Sequence, residues 1–169
     1  MEEHLKPNKI SFRIGSLEWL TFFGLPIALI ANGLISGYFY FQNVDSVKAS
    51  DFLTVSILTL SLGIITYLLQ LKRLNYKTFK LTKELEEFRE LTRTILTENN
   101  WRIENDNQKF IVASIKGKMF SSDMIILRFK KNKIQWNLIQ NPWNHNSGAA
   151  LLNLNLNGKK ILEKIKASA

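Results

Sequence analysis

Cysteine is absent from this chain, which removes disulfides and thiolate chemistry together. Histidine is almost as scarce. His4 and His145 stand far apart in sequence, so they do not begin a His/Cys metal cluster. There is no glycine-rich phosphate loop and no G-x-S-x-G turn for a nucleophile. His145 sits among Trp143 and several asparagines, with no acid nearby to orient it. Glu86 and Glu90 share a helix face with arginines, and Ser121-Ser122-Asp123 reads as a turn. No constellation for catalysis emerges, and the expectation is a non-enzymatic protein with no cofactor and no metal. Acidic residues are also in deficit: 14 Asp and Glu face 23 Lys and Arg, a formal charge of +9.

What the chain does have is a sharp division. From Leu17 to Leu71 it is mostly apolar, and from Lys72 onward it is charged and rich in asparagine. The first apolar segment, Leu17 to Phe41, is about 37 Å long as a helix, enough for a bilayer core of about 30 Å. Its one charge, Glu18, lies at one end beside Trp19, and Tyr38 and Tyr40 lie at the other. This is the placement of interfacial aromatic belts. The second segment, Phe52 to Leu71, carries no charge at all. Residues 42–51 join the two as a short polar loop, so the segments are expected to run antiparallel as a transmembrane hairpin. Pro26 removes the hydrogen bond to the Phe22 carbonyl, which predicts a bend there.

The basic flanks set an orientation. Lys6, Lys9 and Arg13 precede the first segment, and Lys72, Arg73, Lys77, Lys80 and Lys83 follow the second, whereas the loop holds only Lys48. The bias predicts a multi-pass protein of the cytoplasmic (inner) membrane with both termini cytoplasmic and the loop outside. Within the hairpin, Gly24, Ala28, Asn32 and Ser36 recur every fourth residue, and Ser56, Thr59, Gly63 and Thr66 follow at 3-4-3 spacing. Small faces with a polar residue between them are the usual means by which membrane helices hold together. Gly33 and Gly37, in GxxxG spacing, are left for a homodimer.

Beyond Leu71 apolar positions continue at spacings of four and three through Leu74, Thr78, Leu81, Leu85, Phe88, Thr92 and Ile95. The seam predicts a linker helix over 72–98, as one long helix or two nearly continuous ones. It fits either a parallel coiled coil or a helix packed on the chain's own sheet, and the need of that sheet for a cover favours the second. Residues 99–169 carry twelve Lys or Arg against Glu104, Asp106, Asp123 and Glu163. They read as four strands, at 101–104, 110–116, 124–130 and 133–140, with an edge strand at 152–156 and a helix from Gly158 to Lys166. The fold class expected is therefore an α+β membrane protein: hairpin, linker helix, small antiparallel sheet of four to five strands and a C-terminal helix. Alternation places Leu127, Phe129, Ile134, Trp136 and Leu138 on an apolar face, and Arg128, Lys130, Gln135 and Asn137 on a wet one.

Function is then expected to be interaction. A basic cytosolic domain (1–16 being a cytosolic tail) is drawn to the anionic inner leaflet at roughly 1 kcal/mol per cation near the surface. The candidate interaction surface is Arg128, Lys130, Gln135 and Asn137 with Trp143 and His145 of the loop. The partners expected are anionic membrane lipid, a protein such as a larger membrane complex to which the chain is accessory, and a second copy of itself. Nucleic acid is not among them, because exposed aromatics for base stacking are missing from the wet face. The alternative is an oligomeric channel or transporter component, with Asn32 as the polar mid-segment group.

Overall fold

The structure, a computed structural model, describes residues 8–42, 49–116, 122–142 and 156–169. Within them are four helices and one five-stranded antiparallel sheet. Helix α1 (Leu17–Gln42) starts where Ser16 supplies a cap, its Oγ accepting the Trp19 N–H at 3.2 Å. It runs unbroken through Pro26. Helix α2 (Ala49–Arg73) returns beside it, and both helices are long and apolar enough to cross a membrane.

Their seam differs from the one the four-residue spacing suggests. Ala28 and Asn32 are exposed, a side chain at Gly24 would meet nothing within 4 Å, and of that strip only Ser36 is buried. The face of α1 turned to α2 is the one carrying Gly33 and Gly37, so these glycines serve the hairpin and not a second copy. A Cβ on Gly33 would lie 2.5 Å from Leu60 Cγ, and the Ser56 hydroxyl donates to the Gly33 carbonyl at 2.8 Å. Two glycines without Cβ atoms allow a closer approach than Ala28 and Asn32 do, and that decides between two faces of similar pattern. On α2, Ser56 and Gly63 are buried and Thr59 and Thr66 half-buried. The two threonine hydroxyls donate to their own helix, to Val55 O at 2.8 Å and Leu62 O at 2.7 Å.

Gly63 differs from Gly33 in that it lies against backbone as well as side chain. A Cβ there would sit 2.7 Å from Ile30 Cγ1 and 3.0 Å from the Ile30 backbone nitrogen, which does not swing aside. Gly63→Ala is expected to cost about 1–3 kcal/mol by overpacking. Gly24→Ala, in open space, should be neutral or gain up to about 1 kcal/mol of helix propensity. Thermal unfolding in mild detergent checks this, and equal midpoints for the two variants would refute the seam.

The linker helix expected over 72–98 does not form. Helix α2 stops at Arg73, Leu74 turns, and β1 (Lys77–Lys80) pairs antiparallel with the last strand, β5 (Lys133–Gln140), Lys77 opposite Trp136 and Lys80 opposite Lys133. Asn75, Tyr76, Thr78 and Phe79 are poor helix formers, and a sheet edge offers them hydrogen bonds that a lone helix does not. Helix resumes only as α3 (Leu85–Glu98), which crosses to the opposite edge and packs on the chain's own sheet. Strands β2 (Arg102–Asn107), β3 (Phe110–Lys116), β4 (Ser122–Lys130) and β5 (Lys133–Gln140) form a meander, and β1 completes the order β1-β5-β4-β3-β2. The fifth strand is thus β1; of the edge strand expected at 152–156, residues 152–155 lie outside those described and Leu156 already begins a helix. Helix α4 (Leu156–Ala167) turns Ile161, Leu162 and Ile165 inward.

A second correction concerns the sheet's faces. One carries Ile111, Ile125, Leu127 and Ile134 beneath α3 and α4, as the alternation implies. The other is not wet. Phe110, Val112, Met124, Ile126 and Ile139 are buried against Phe22 and Phe23 of α1, Ile10 and Phe12 of the preceding segment, and Leu74. The sheet is the middle of three layers, with the foot of the hairpin on one side and two helices on the other. The run Met124-Ile125-Ile126-Leu127, apolar at consecutive positions, is the pattern of a strand covered on both faces.

Candidate functional site

Helix α2 ends in Lys72 and Arg73, cations at the negative end of its dipole. The last turn leaves backbone carbonyls without helical partners. Asn137 of β5 meets that need: its Nδ2 donates to the Arg73 carbonyl and to the Asn75 carbonyl, each at 2.9 Å. The bonds fix the exit of α2 against the sheet and set Arg73 beside Lys77 of β1. The segment before α1 joins the same corner, with Ile10 N–H donating to Leu74 O at 2.9 Å and Tyr76 N–H to Asn8 O at 3.3 Å.

From the other side comes α4. Its first turn is held by Asp123, whose carboxylate accepts the Gly158 backbone N–H and is raised in pKa by burial. Gly158 lies against Leu138, where a Cβ would come within 2.5 Å of Cδ1. Its last residues are tied to the β1–α3 connection, the Thr82 and Lys83 N–H groups donating to the Ala169 carbonyl at 3.0 and 3.2 Å. So held, α4 points Lys159, Glu163 and Lys166 toward β1.

Between them stands Trp136, half-buried on β5. The Lys77 ammonium lies 5.2 Å and the Lys166 ammonium 4.8 Å from its ring centroid. Two adjoining recesses of about 240 and 570 Å³ share Arg73, Lys77, Trp136 and Leu138. The smaller reaches along α2 to Leu69, and the larger runs to Lys159 and Lys166. Lys166 is bonded to Glu163 at 2.7 Å. Among the described residues, Arg73, Lys77 and Lys159 have no carboxylate partner. The chemistry of this cleft is that of an anion receptor with an aromatic wall. No group of His, Cys, Asp and Glu suited to a metal occurs among the described residues.

The chain matches no family model, no curated protein and no solved structure. The reading of the cleft therefore stands on its own residues.

The residues that the sequence pattern nominates for interaction are placed differently. Gln135 is 7% and Asn137 3% exposed, so both belong to the interior contact between hairpin and sheet. Arg128 is half-buried with its guanidinium 5.6 Å from the Tyr76 ring centroid, and burial pushes the Tyr76 hydroxyl up to about 12. Lys130 alone of the four is exposed. Trp143 and His145 lie outside the described residues. Trp136, assigned to the core by alternation, packs half-buried against it and turns the rest of its ring to the cations. The signal available in the sequence was the doublet Lys72-Arg73 with Lys77 five residues past Lys72, and Lys159 and Lys166 seven apart on one face of a helix.

Proposed function

We propose that this is a non-enzymatic integral membrane protein whose helical hairpin holds a cationic domain against the cytoplasmic leaflet, as an anchor or accessory subunit. The observation that carries it is the surface of the hairpin. Large apolar side chains are exposed around both helices, among them Leu34 at 62%, Leu58 at 63% and Leu68 at 58%. Patches of that extent are not left in water by soluble monomers. At the foot of the hairpin, and there only among its described residues, the exposed surface turns basic, with Lys9, Arg13, Lys72 and Arg73. That asymmetry supports both termini in the cytoplasm by the positive-inside rule.

The absence of cysteine makes the test direct. Ser46→Cys, between the two helices in sequence, and Ser168→Cys, just after α4, are labelled in intact cells with a membrane-impermeant maleimide. Ser46→Cys should react at once and Ser168→Cys only after permeabilisation. Labelling of Ser168→Cys in intact cells, or release of the chain by alkaline carbonate, would defeat the proposal. One observation favours the rival, an oligomeric channel or transporter component. Asn32 is exposed midway along α1, its Oδ1 accepting the Ser36 hydroxyl at 3.2 Å. Conductance in planar bilayers that Asn32→Leu abolishes would establish that rival.

A further inference from the structure

We propose that the cleft walled by Trp136 is a binding site for the phosphate-bearing headgroup of an anionic phospholipid. The proposal rests on the membrane reading above and names the ligand that the domain takes from the leaflet. Its cations come from three elements: Arg73 from the end of α2, Lys77 from β1, and Lys159 and Lys166 from α4. A solvated charged face is usually made by one helix or strand. Here the fold itself converges residues more than eighty positions apart in sequence. Lys77 and Lys166 share one indole, which places their ammonium groups within about 10 Å of each other. At that limit screening, which acts over about 8 Å in a cell, leaves only part of their repulsion, and closer approach leaves more. Glu163 offsets only one of them. A bound anion completes the balance, and a phosphate diester with a net negative charge offers oxygen acceptors to several ammonium groups and a guanidinium at once.

The apolar part of the cleft tells lipid from free phosphate. The smaller recess is floored by Leu138 and continues up α2 to Leu69, which is 53% exposed. A ligand whose phosphate sits by Arg73 and Lys77 thus has an apolar path toward the hydrocarbon, along the outside of the helix that enters it. Trp136 suits such a boundary, because an indole is favoured where one end is wet and the other apolar.

The full-length protein, purified in a neutral detergent, is titrated with short-chain phosphatidylglycerol and, separately, with short-chain phosphatidylcholine, and bound lipid is counted by native mass spectrometry. Phosphatidylglycerol should bind and phosphatidylcholine should not. The pair Arg73→Gln with Lys77→Gln, and separately Lys159→Gln with Lys166→Gln, should weaken phosphatidylglycerol about tenfold or more, as expected when two cations leave a site at the membrane surface. Lys130→Gln with Lys131→Gln, exposed at the β4–β5 turn, should leave it unchanged. All these positions are exposed or half-buried, and an unchanged unfolding midpoint verifies each fold. Equal weakening by the β4–β5 pair would mean a diffuse basic collar and overturn the site. Equal binding of phosphatidylcholine would overturn the headgroup assignment. Displacement of the lipid by inorganic phosphate or pyrophosphate at matched concentration would identify a free-phosphate site and overturn the lipid. Failure here with the cysteine labelling intact removes the cleft and leaves the anchor. Failure of the labelling removes the anchor itself.

Discussion

Phe23→Ala is expected to destabilise the sheet along with the hairpin, by about 3–5 kcal/mol. Phe23 is 2% exposed, at the point where α1, α2 and the sheet meet. Its ring packs edge-on to Phe22 at 5.1 Å between centroids and tilted against Tyr67 at 5.1 Å and Trp19 at 5.7 Å. The same buried cluster holds Val112, Met124 and Ile126 from the sheet. Truncation therefore removes packing shared by both layers and widens a recess that Trp19, Phe23 and Tyr67 already line. Hydrogen exchange in mild detergent is the measurement. Amides of β4 should lose protection in Phe23→Ala and keep it in Phe41→Ala, whose side chain is 75% exposed. Unchanged protection of β4 in Phe23→Ala would mean that hairpin and sheet fold as separate units.

Asp106→Ala should cost about 2–4 kcal/mol, because it strands a buried arginine. The Arg89 side chain is 6% exposed, and its Nη2 donates to Asp106 Oδ1 at 2.8 Å, with its guanidinium over Phe129 at 5.1 Å. Arg93 Nε donates to the other carboxylate oxygen at 2.5 Å. Among the described residues, the one further acid paired with Arg89 is Glu86, at 3.9 Å and largely exposed, so it replaces little of what is lost. These bonds fasten α3 to the β2–β3 hairpin, and the variant should free the helix that covers the outer face of the sheet.

The same carboxylate gives the protein an acid limit. The hydrogen bond from Arg93, then its charge and that of Arg89, hold Asp106 below the usual carboxylate range. A depressed acid stabilises the fold fully above its unfolded pKa of about 3.9 and loses that contribution as pH falls through the folded value. Asp123 acts in the opposite sense: burial raises its pKa, so its ionised form costs stability, and that cost is relieved as pH falls through the raised value. In unfolding measured against pH, Asp106→Asn should flatten the loss at the acid end. Asp123→Asn should remove the loss of stability that sets in as pH rises through the raised value. The reverse assignment would refute both.

Much of the architecture is legible without coordinates. Two uninterrupted apolar segments joined by a short polar loop specify a helical pair, because only helices satisfy the backbone within such a run. The alternating strands at 110–116, 124–130 and 133–140 and the last helix announce themselves by period. The strip Ser56, Thr59, Gly63 and Thr66 does too. What misleads is local pattern where two elements compete for one surface. The seam through Leu74, Thr78 and Leu81 has a helical spacing, yet Lys77–Lys80 becomes a strand because β5 offers it a ladder. Gln135 and Asn137 look wet for the same reason. They are polar on a face of the sheet, and nothing nearby in sequence says that the hairpin's foot buries both or that the end of α2 needs the Asn137 amide.

The sequence by itself therefore determines the elements whose stability is internal: the two apolar helices, the meander and the excess of positive charge around them. Only the tertiary structure decides which side of the sheet the hairpin's foot covers, that Gly33 and Gly63 face each other's helices, and that Arg73, Lys77, Lys159 and Lys166 gather around Trp136. The physical reason is range. Backbone hydrogen bonding and hydrophobic period act over a few residues and leave their mark in the local pattern. Burial of one layer on another, and the meeting of cations from opposite ends of the chain, depend on pairings that no local pattern encodes.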